Sequence, residues 1–124
     1  MDSITVLLLI SLFVSKHFLC DFLLQWKYQY SNKHIFGHPG GILHAGIHSV
    51  GTIIVLFQLP LSTVLILGLS LLDGIIHYFV DYGKMNINKF YGWGPTTHEQ
   101  FWWLTGFDQY AHYLTYILII YILI

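Results

Sequence analysis

The sequence has little charge and no arginine. Only 9% of its 124 residues are charged, and the formal net charge is −1 at pH 7 with neutral histidines. Soluble domains average roughly 25% charged residues, so a soluble fold is disfavoured. The five lysines are scattered and form no basic face, which makes nucleic acid a poor candidate partner. Cys20 is the single cysteine, so no disulfide can form within the chain.

Apolar residues are abundant instead. They make up 56% of the chain, and its mean hydropathy is +0.64. A helix needs about 20 apolar residues to cross the core of a bilayer. Four runs meet this requirement, at residues 4–24, 42–59, 61–82 and 101–124. The sequence therefore predicts an all-α, polytopic four-helix membrane bundle that forms a single domain over residues 1–124.

The connections between the runs predict a topology. Pro60 lies in the short link between the second and third runs, which predicts a tight turn. The other two connections are longer, polar and hold four of the lysines: Lys27, Lys33, Lys84 and Lys89. The positive-inside bias then places both connections in the cytoplasm and both termini on the other side. The first run lacks a basic start and is too long for a cleaved signal peptide, so we interpret it as a retained span.

Each apolar run carries two His or Asp residues spaced four apart. The pairs are His17 and Asp21, His44 and His48, His77 and Asp81, and Asp108 and His112. This spacing puts both side chains on one helical face, about 6 Å apart along the axis. In the predicted topology all four pairs lie in the cytoplasmic half. Three aspartates and His44 form a shallow layer there, four histidines form a deeper one, and the eight side chains can converge.

Two interpretations of these pairs compete. A polar residue in a membrane helix often hydrogen-bonds a neighbouring helix, which stabilises the bundle by about 0.6 kcal/mol. One Asp near the bilayer centre costs about 2.5 to 3.5 kcal/mol on insertion scales, so hydrogen bonds alone do not offset the cost of burying three. A divalent cation offsets that cost better, because imidazole and carboxylate together suit zinc, manganese or iron. Either two ions share the eight groups, or one ion is bound and the remaining groups orient its ligands.

Further polar residues lie near the pairs. Gln25, Asp73 and Gln109 are predicted to orient the ligands, and Asp73, with Asp81 and Asp108, is a candidate catalytic proton carrier. Lys16 lies within the first run. We predict that it binds an anionic group of a substrate, and the alternative is that it snorkels to the membrane interface.

Four ordered motifs carry a family resemblance. They are HFLCDFLLQ at 17–25, LHAGIH at 43–48, HYFVDY at 77–82 and DQYAH at 108–112. Together they resemble the bacterial and phage family of small membrane proteins known as domain of unknown function 3307. The resemblance implies a four-helix membrane fold with the same polar positions. It also implies the inner, cytoplasmic membrane of a bacterium, for a chain that the bacterium or a phage encodes. More distantly, the His-rich helices resemble inner-membrane metal-dependent hydrolases.

The leading functional hypothesis is a metal-dependent hydrolase that acts on a lipid-borne phosphate or ester near the cytoplasmic leaflet. Membrane lipids are then its partners, and a lipid phosphate is the candidate substrate. A metal-ion or proton carrier and a membrane di-iron oxidase are the alternatives. The outer halves of the runs offer no polar path, which disfavours a carrier. The sequence leaves the oligomeric state open.

Overall fold

The chain folds as a series of helices. A computed structural model describes all 124 residues and contains no strand. Its five α-helices are α1 (Ser3–Phe18), α2 (Lys27–Tyr30), α3 (Pro39–Leu56), α4 (Thr63–Tyr91) and α5 (Glu99–Leu123). α1 continues directly into a π-helical turn, Leu19–Leu23. The all-α prediction is confirmed.

Three helical segments are long and apolar enough to cross a membrane. They are Ser3–Leu23, Pro39–Leu56 and Thr63–Tyr91. α5 has a comparable length of 25 residues but is less apolar, because Asp108, Gln109, His112 and several tyrosines lie along it. Length and composition therefore support three of the four predicted spans, and the span at 101–124 stays a prediction.

α4 is longer than the apolar run that predicts it. The run ends at residue 82, whereas the helix continues to Tyr91. It stops at Gly92, which adopts φ 66° and donates its N–H to the Asn88 carbonyl at 2.8 Å. The predicted connection from residue 83 is thus partly helical, and Lys84 lies on the same helical face as Asp81.

The long helices enclose an interior that differs between its two ends. α1 and α4 each contact both α3 and α5. One end holds an apolar cluster: Leu9, Phe13, Val55, Leu56, Ile66, Leu69, Tyr116, Ile119 and Ile120. These residues come from the part of α1 before Lys16, the first half of α4 and the second halves of α3 and α5. The other end holds the predicted His and Asp pairs.

The interior is unusually polar, and the outer surface is apolar. Of the 29 buried residues, 15 are polar or charged and 11 are hydrophobic. The outer faces of the helices expose large apolar side chains, for example Ile4, Val64, Leu71 and Ile117. This is the distribution expected when helices face lipid and enclose polar groups.

α1 and α3 approach each other closely at Gly51. A Cβ added there would lie 2.8 Å from Lys16 Cγ and 3.1 Å from Cys20 Sγ. The Lys16 stem cannot easily move aside, since its Nζ is paired with Asp73 at 2.6 Å. The absence of a side chain at residue 51 therefore sets the distance between these helices.

We expect Gly51→Ala to destabilise the protein by about 1 to 3 kcal/mol, the usual range for overpacking. Thermal unfolding in detergent measures the effect. Gly46→Ala in the same helix is the matched control, because a Cβ there meets nothing within 4 Å. The control should be neutral, or stabilising by up to about 1 kcal/mol through helix propensity. Equal melting temperatures for the two variants would contradict the close approach.

Candidate metal centre

Asp21 lies at the centre of the buried polar groups, and the π-helical turn positions it. In this turn the Leu24 N–H donates to the Leu19 carbonyl at 2.8 Å, five residues back along the chain. Such turns insert an extra residue into a helix and change the direction of its side chains. The Asp21 Oδ1 atom lies near three histidine Nε2 atoms from two other helices: His44 at 3.0 Å, His48 at 3.3 Å and His77 at 3.4 Å.

The hydrogen bonds of Gln29 set the tautomer of His44. Gln29 is fully buried, and its Nε2 donates to the Leu24 carbonyl at 3.0 Å. Its Oε1 therefore accepts from His44 Nδ1 at 2.9 Å, which leaves a lone pair on Nε2 of the neutral ring. That lone pair faces Asp21 Oδ1 and, at 3.1 Å, His77 Nε2. A cation bound here would accept the lone pairs of His44 Nε2 and Asp21 Oδ1, which otherwise repel each other.

Three of the imidazole rings stack on one another. The centroids of His48 and His77 are 3.5 Å apart, and those of His77 and His112 are 3.8 Å apart. Positive charge on all three rings at this spacing would be strongly unfavourable away from water. Neutral rings are the form in which histidine binds a metal.

Asp81, Asp108 and His112 form a second set of polar groups beside the first. His112 Nε2 lies 3.2 Å from Asp81 Oδ1 and 3.3 Å from Asp108 Oδ1. Two lysines oppose these carboxylates: Lys33 Nζ lies 2.8 Å from Asp81 Oδ2, and Lys84 Nζ lies 3.2 Å from Asp108 Oδ2. The Lys33 contact is an ion pair without hydrogen-bond geometry, because Asp81 Oδ2 has no hydrogen-bond partner.

The side chains of seven predicted ligands form three groups that can each hold a metal ion. The groups are Asp21 with His44, His48 and His77; His77 with Asp81 and His112; and Asp21 with Asp108 and His112. Within each group the ligand atoms all lie within 4.8 Å of one another. Several buried atoms in these groups have no hydrogen-bond partner, among them His48 Nε2 and Asp108 Oδ1. Unsatisfied buried polar atoms are costly, and a bound cation would satisfy them.

His17 lies beside these groups and has other partners. Gln109 Nε2 donates to Asp21 Oδ2 and Asp108 Oδ2, both at 3.1 Å, so its Oε1 accepts from His17 Nε2 at 2.7 Å. The Tyr116 hydroxyl lies 2.9 Å from His17 Nδ1 and can donate to it. This arrangement leaves no free lone pair on His17 Nε2, so that atom can orient Gln109. The role of His17 as a metal ligand stays a prediction.

Lys16 and Asp73 form a buried ion pair between the metal-capable groups and the apolar cluster. Their charged atoms are 2.6 Å apart, and the side chains are 4% and 1% exposed. Thr52 donates to the same Asp73 oxygen at 2.5 Å, and Lys16 Nζ also lies 3.2 Å from His48 Nδ1. Lys16 therefore does not snorkel, and Asp73 is bound to Lys16 rather than to His77. Substrate binding by Lys16 and proton transfer by Asp73 stay predictions.

The remaining predicted residue, Gln25, lies at the edge of the site. Its Nε2 donates to the backbone carbonyl of Asp21 at 2.7 Å, and its Oε1 is buried without a partner. It contacts the backbone of the π-helical turn and none of the candidate ligand side chains.

Sequence reasoning missed four residues that contact the site: Gln29, Lys33, Lys84 and Tyr116. Two of them carried a usable signal. Lys84 follows His77 by seven residues, and Tyr116 follows His112 by four, so each shares a helical face with a predicted ligand. Gln29 and Lys33 lie between α1 and α3, where no periodicity identifies them.

Comparison with known proteins identifies the family of this chain. A family model described as a protein of unknown function (DUF3307) matches residues 6–124. The chain therefore belongs to this family, as its four motifs predicted. No curated protein and no solved structure matches the chain.

Replacing Lys16 with methionine should strongly destabilise the protein, because it leaves the Asp73 carboxylate buried and unpaired. We expect a loss of about 3 to 5 kcal/mol, measured by thermal unfolding in detergent. The double variant Lys16→Met/Asp73→Leu removes both charges and should regain most of that loss. A double variant no more stable than Lys16→Met would show that the pair does not act as one unit.

Proposed function

We propose that this chain is a membrane-embedded, metal-dependent hydrolase that acts on a lipid-borne phosphate or ester near the cytoplasmic leaflet. The observation that carries the proposal is the convergence of seven buried His and Asp side chains into overlapping groups with metal-ligand spacing. Imidazole and carboxylate together suit zinc, manganese or iron. Buried charge of this kind is expensive in a membrane and marks function in most cases.

We infer that the whole chain forms one domain, a four-helix bundle in the bacterial inner membrane with both termini on the non-cytoplasmic side. The contacts of α1 and α4 with α3 and α5 support the bundle. The short link from 57 to 62 supports antiparallel neighbours. Lys27, Lys33 and Lys89 lie near the polar end of the helices, and the positive-inside bias then puts that end at the cytoplasm.

Lys33 and Lys84 support an anionic substrate. Each pairs with a site carboxylate, Asp81 or Asp108, that a divalent cation would also bind. When the metal takes those carboxylates, both ammonium groups are free to bind a phosphate. The Lys84 side chain is 25% exposed, whereas that of Asp108 is 2% exposed, so Lys84 connects the buried site to the protein surface.

The chemistry proposed for the site is the attack of water on phosphorus or on an ester carbon. A divalent metal held by these residues would acidify water at neutral pH. The oxygen of Asp81 or Asp108 that the metal leaves free would accept the water proton while the water oxygen bonds to the reacting atom. The bond to the lipid alcohol breaks, and its oxygen takes that proton from the carboxylic acid.

Metal analysis of the purified protein is the first test. We expect stoichiometric zinc, manganese or iron in the wild type, and less than about a tenth of it in Asp21→Ala/Asp81→Ala, since charged ligands dominate affinity. His98→Ala is the control, because His98 is exposed and outside the metal-capable groups. Equal metal in all three proteins, or none in the wild type, would contradict the proposed centre.

The role of Lys33 is tested with the metal-loaded enzyme in vesicles that contain a long-chain lipid phosphate, by measuring phosphate release. Lys33→Gln should raise KM about tenfold, because a charge-assisted hydrogen bond contributes about 1.5 to 3 kcal/mol. The kcat should change little. Lys27→Gln, at an exposed lysine in α2, should leave both constants unchanged. An unaltered KM in Lys33→Gln would remove Lys33 from the substrate site.

A further inference from the structure

The metal-capable groups lie on two sides of one carboxylate. On the first side, Asp21 Oδ1 lies within 3.4 Å of the Nε2 atoms of His44, His48 and His77. On the second side lie Asp81, Asp108 and His112, and Asp21 forms a further metal-capable group with the last two. Asp21 is therefore the carboxylate common to both sides.

The two oxygens of Asp21 have different surroundings. Oδ1 points to the three histidines of the first side. Oδ2 lies 3.1 Å from Gln109 Nε2, which also donates to Asp108 Oδ2 at 3.1 Å. Gln109 thus links Oδ2 to the second side, and Oδ2 also lies 3.3 Å from His17 Nε2.

The seven ligand atoms do not fit one coordination sphere. The ligand atoms of a metal-capable group all lie within 4.8 Å of one another, and no such group contains both His48 and Asp108. Four ligands complete a tetrahedral site, and the first side already supplies three imidazoles and a carboxylate. Asp81, Asp108 and His112 would then have no ion, although Asp108 Oδ1 is buried without a hydrogen-bond partner.

We propose that the site is dinuclear and that Asp21 bridges its two ions, an inference that rests on the metal binding proposed above. The first ion takes Oδ1 with His44, His48 and His77, a nitrogen-rich set that suits zinc or iron. The second takes Oδ2 with Asp108 and His112, a set richer in oxygen that suits manganese or iron, and Asp81 lies beside it, 3.2 Å from His112 Nε2. Paired ions about 3.5 to 4 Å apart act together on the attacking and leaving oxygens of a hydrolysed ester.

The two ions also account for the lysines. Lys33 pairs with Asp81 and Lys84 with Asp108, whereas neither lysine pairs with Asp21, so the metal-free site with neutral histidines carries one excess negative charge. Two dications reverse that sign and compete with both ammonium groups for Asp81 and Asp108. The loaded site is then strongly positive, and its class of ligand is a phosphate or another compact anion.

Manganese loading of the full-length protein in detergent tests the inference without any assay of activity. We expect two ions per chain by elemental analysis, and an electron paramagnetic resonance spectrum of an exchange-coupled pair. Asp21→Asn keeps the side-chain volume but lacks a second oxygen, so the coupling should vanish and one ion should be lost. Glu99→Gln makes the same chemical change at an exposed position and should keep both ions and the coupling.

Each outcome decides one of the two proposals. One ion in the wild type, or two ions without coupling, overturns the bridged pair and leaves the metal-dependent function standing. No ion at all overturns the function itself. If circular dichroism shows that Asp21→Asn does not fold, Asp108→Asn replaces it. That variant should retain one ion, and two coupled ions in it would overturn the second site.

Discussion

The burial of three carboxylates among apolar helices is the constraint on which the rest of the structure depends. Each of Asp21, Asp81 and Asp108 is at most 5% exposed, and each costs about 2.5 to 3.5 kcal/mol near a bilayer centre. The chain opposes them with Lys33, from the segment between α2 and α3, and Lys84, from the extension of α4. With neutral histidines, the two ammonium groups leave one negative charge over. A divalent cation is the counter-charge that the donor set fits.

The Lys16–Asp73 pair separates this charge from the apolar cluster. It is neutral as a unit, and Thr52 completes the hydrogen bonding of its carboxylate. Lys16 Nζ also lies 3.2 Å from His48 Nδ1, so the pair fixes a ring whose other nitrogen points at Asp21. Close packing of α1 on α3 at Gly51 holds the Lys16 stem in place. The Lys16–Asp73 pair has no net charge, but it can still position the candidate ligand His48.

The sequence predicts the candidate ligands well, because His and Asp at helical spacing stand out against apolar residues. It predicts their partners poorly. Whether Lys16 snorkels or is buried depends on Asp73, which lies 57 residues away in the chain. The direction of the Asp21 side chain depends on the π-helical turn, which no residue pattern in 19–23 predicts. Gln29 reaches the site from the short helix α2 and Lys33 from the turn after it, and only the folded path of the chain brings them close to His44 and Asp81.

The difference between the two ends of the interior favours chemistry over transport. A carrier needs polar groups that alternate between the two faces of a membrane. Here the charged groups stop at Lys16 and Asp73, and beyond them the helices close on Phe13, Leu56 and Ile119, each fully buried. An ion that crossed this cluster would lose every ligand, and that desolvation penalty is far larger than a bundle of this size can offset. Polar groups confined to one end of the interior suit a reaction whose substrate and product use the same face.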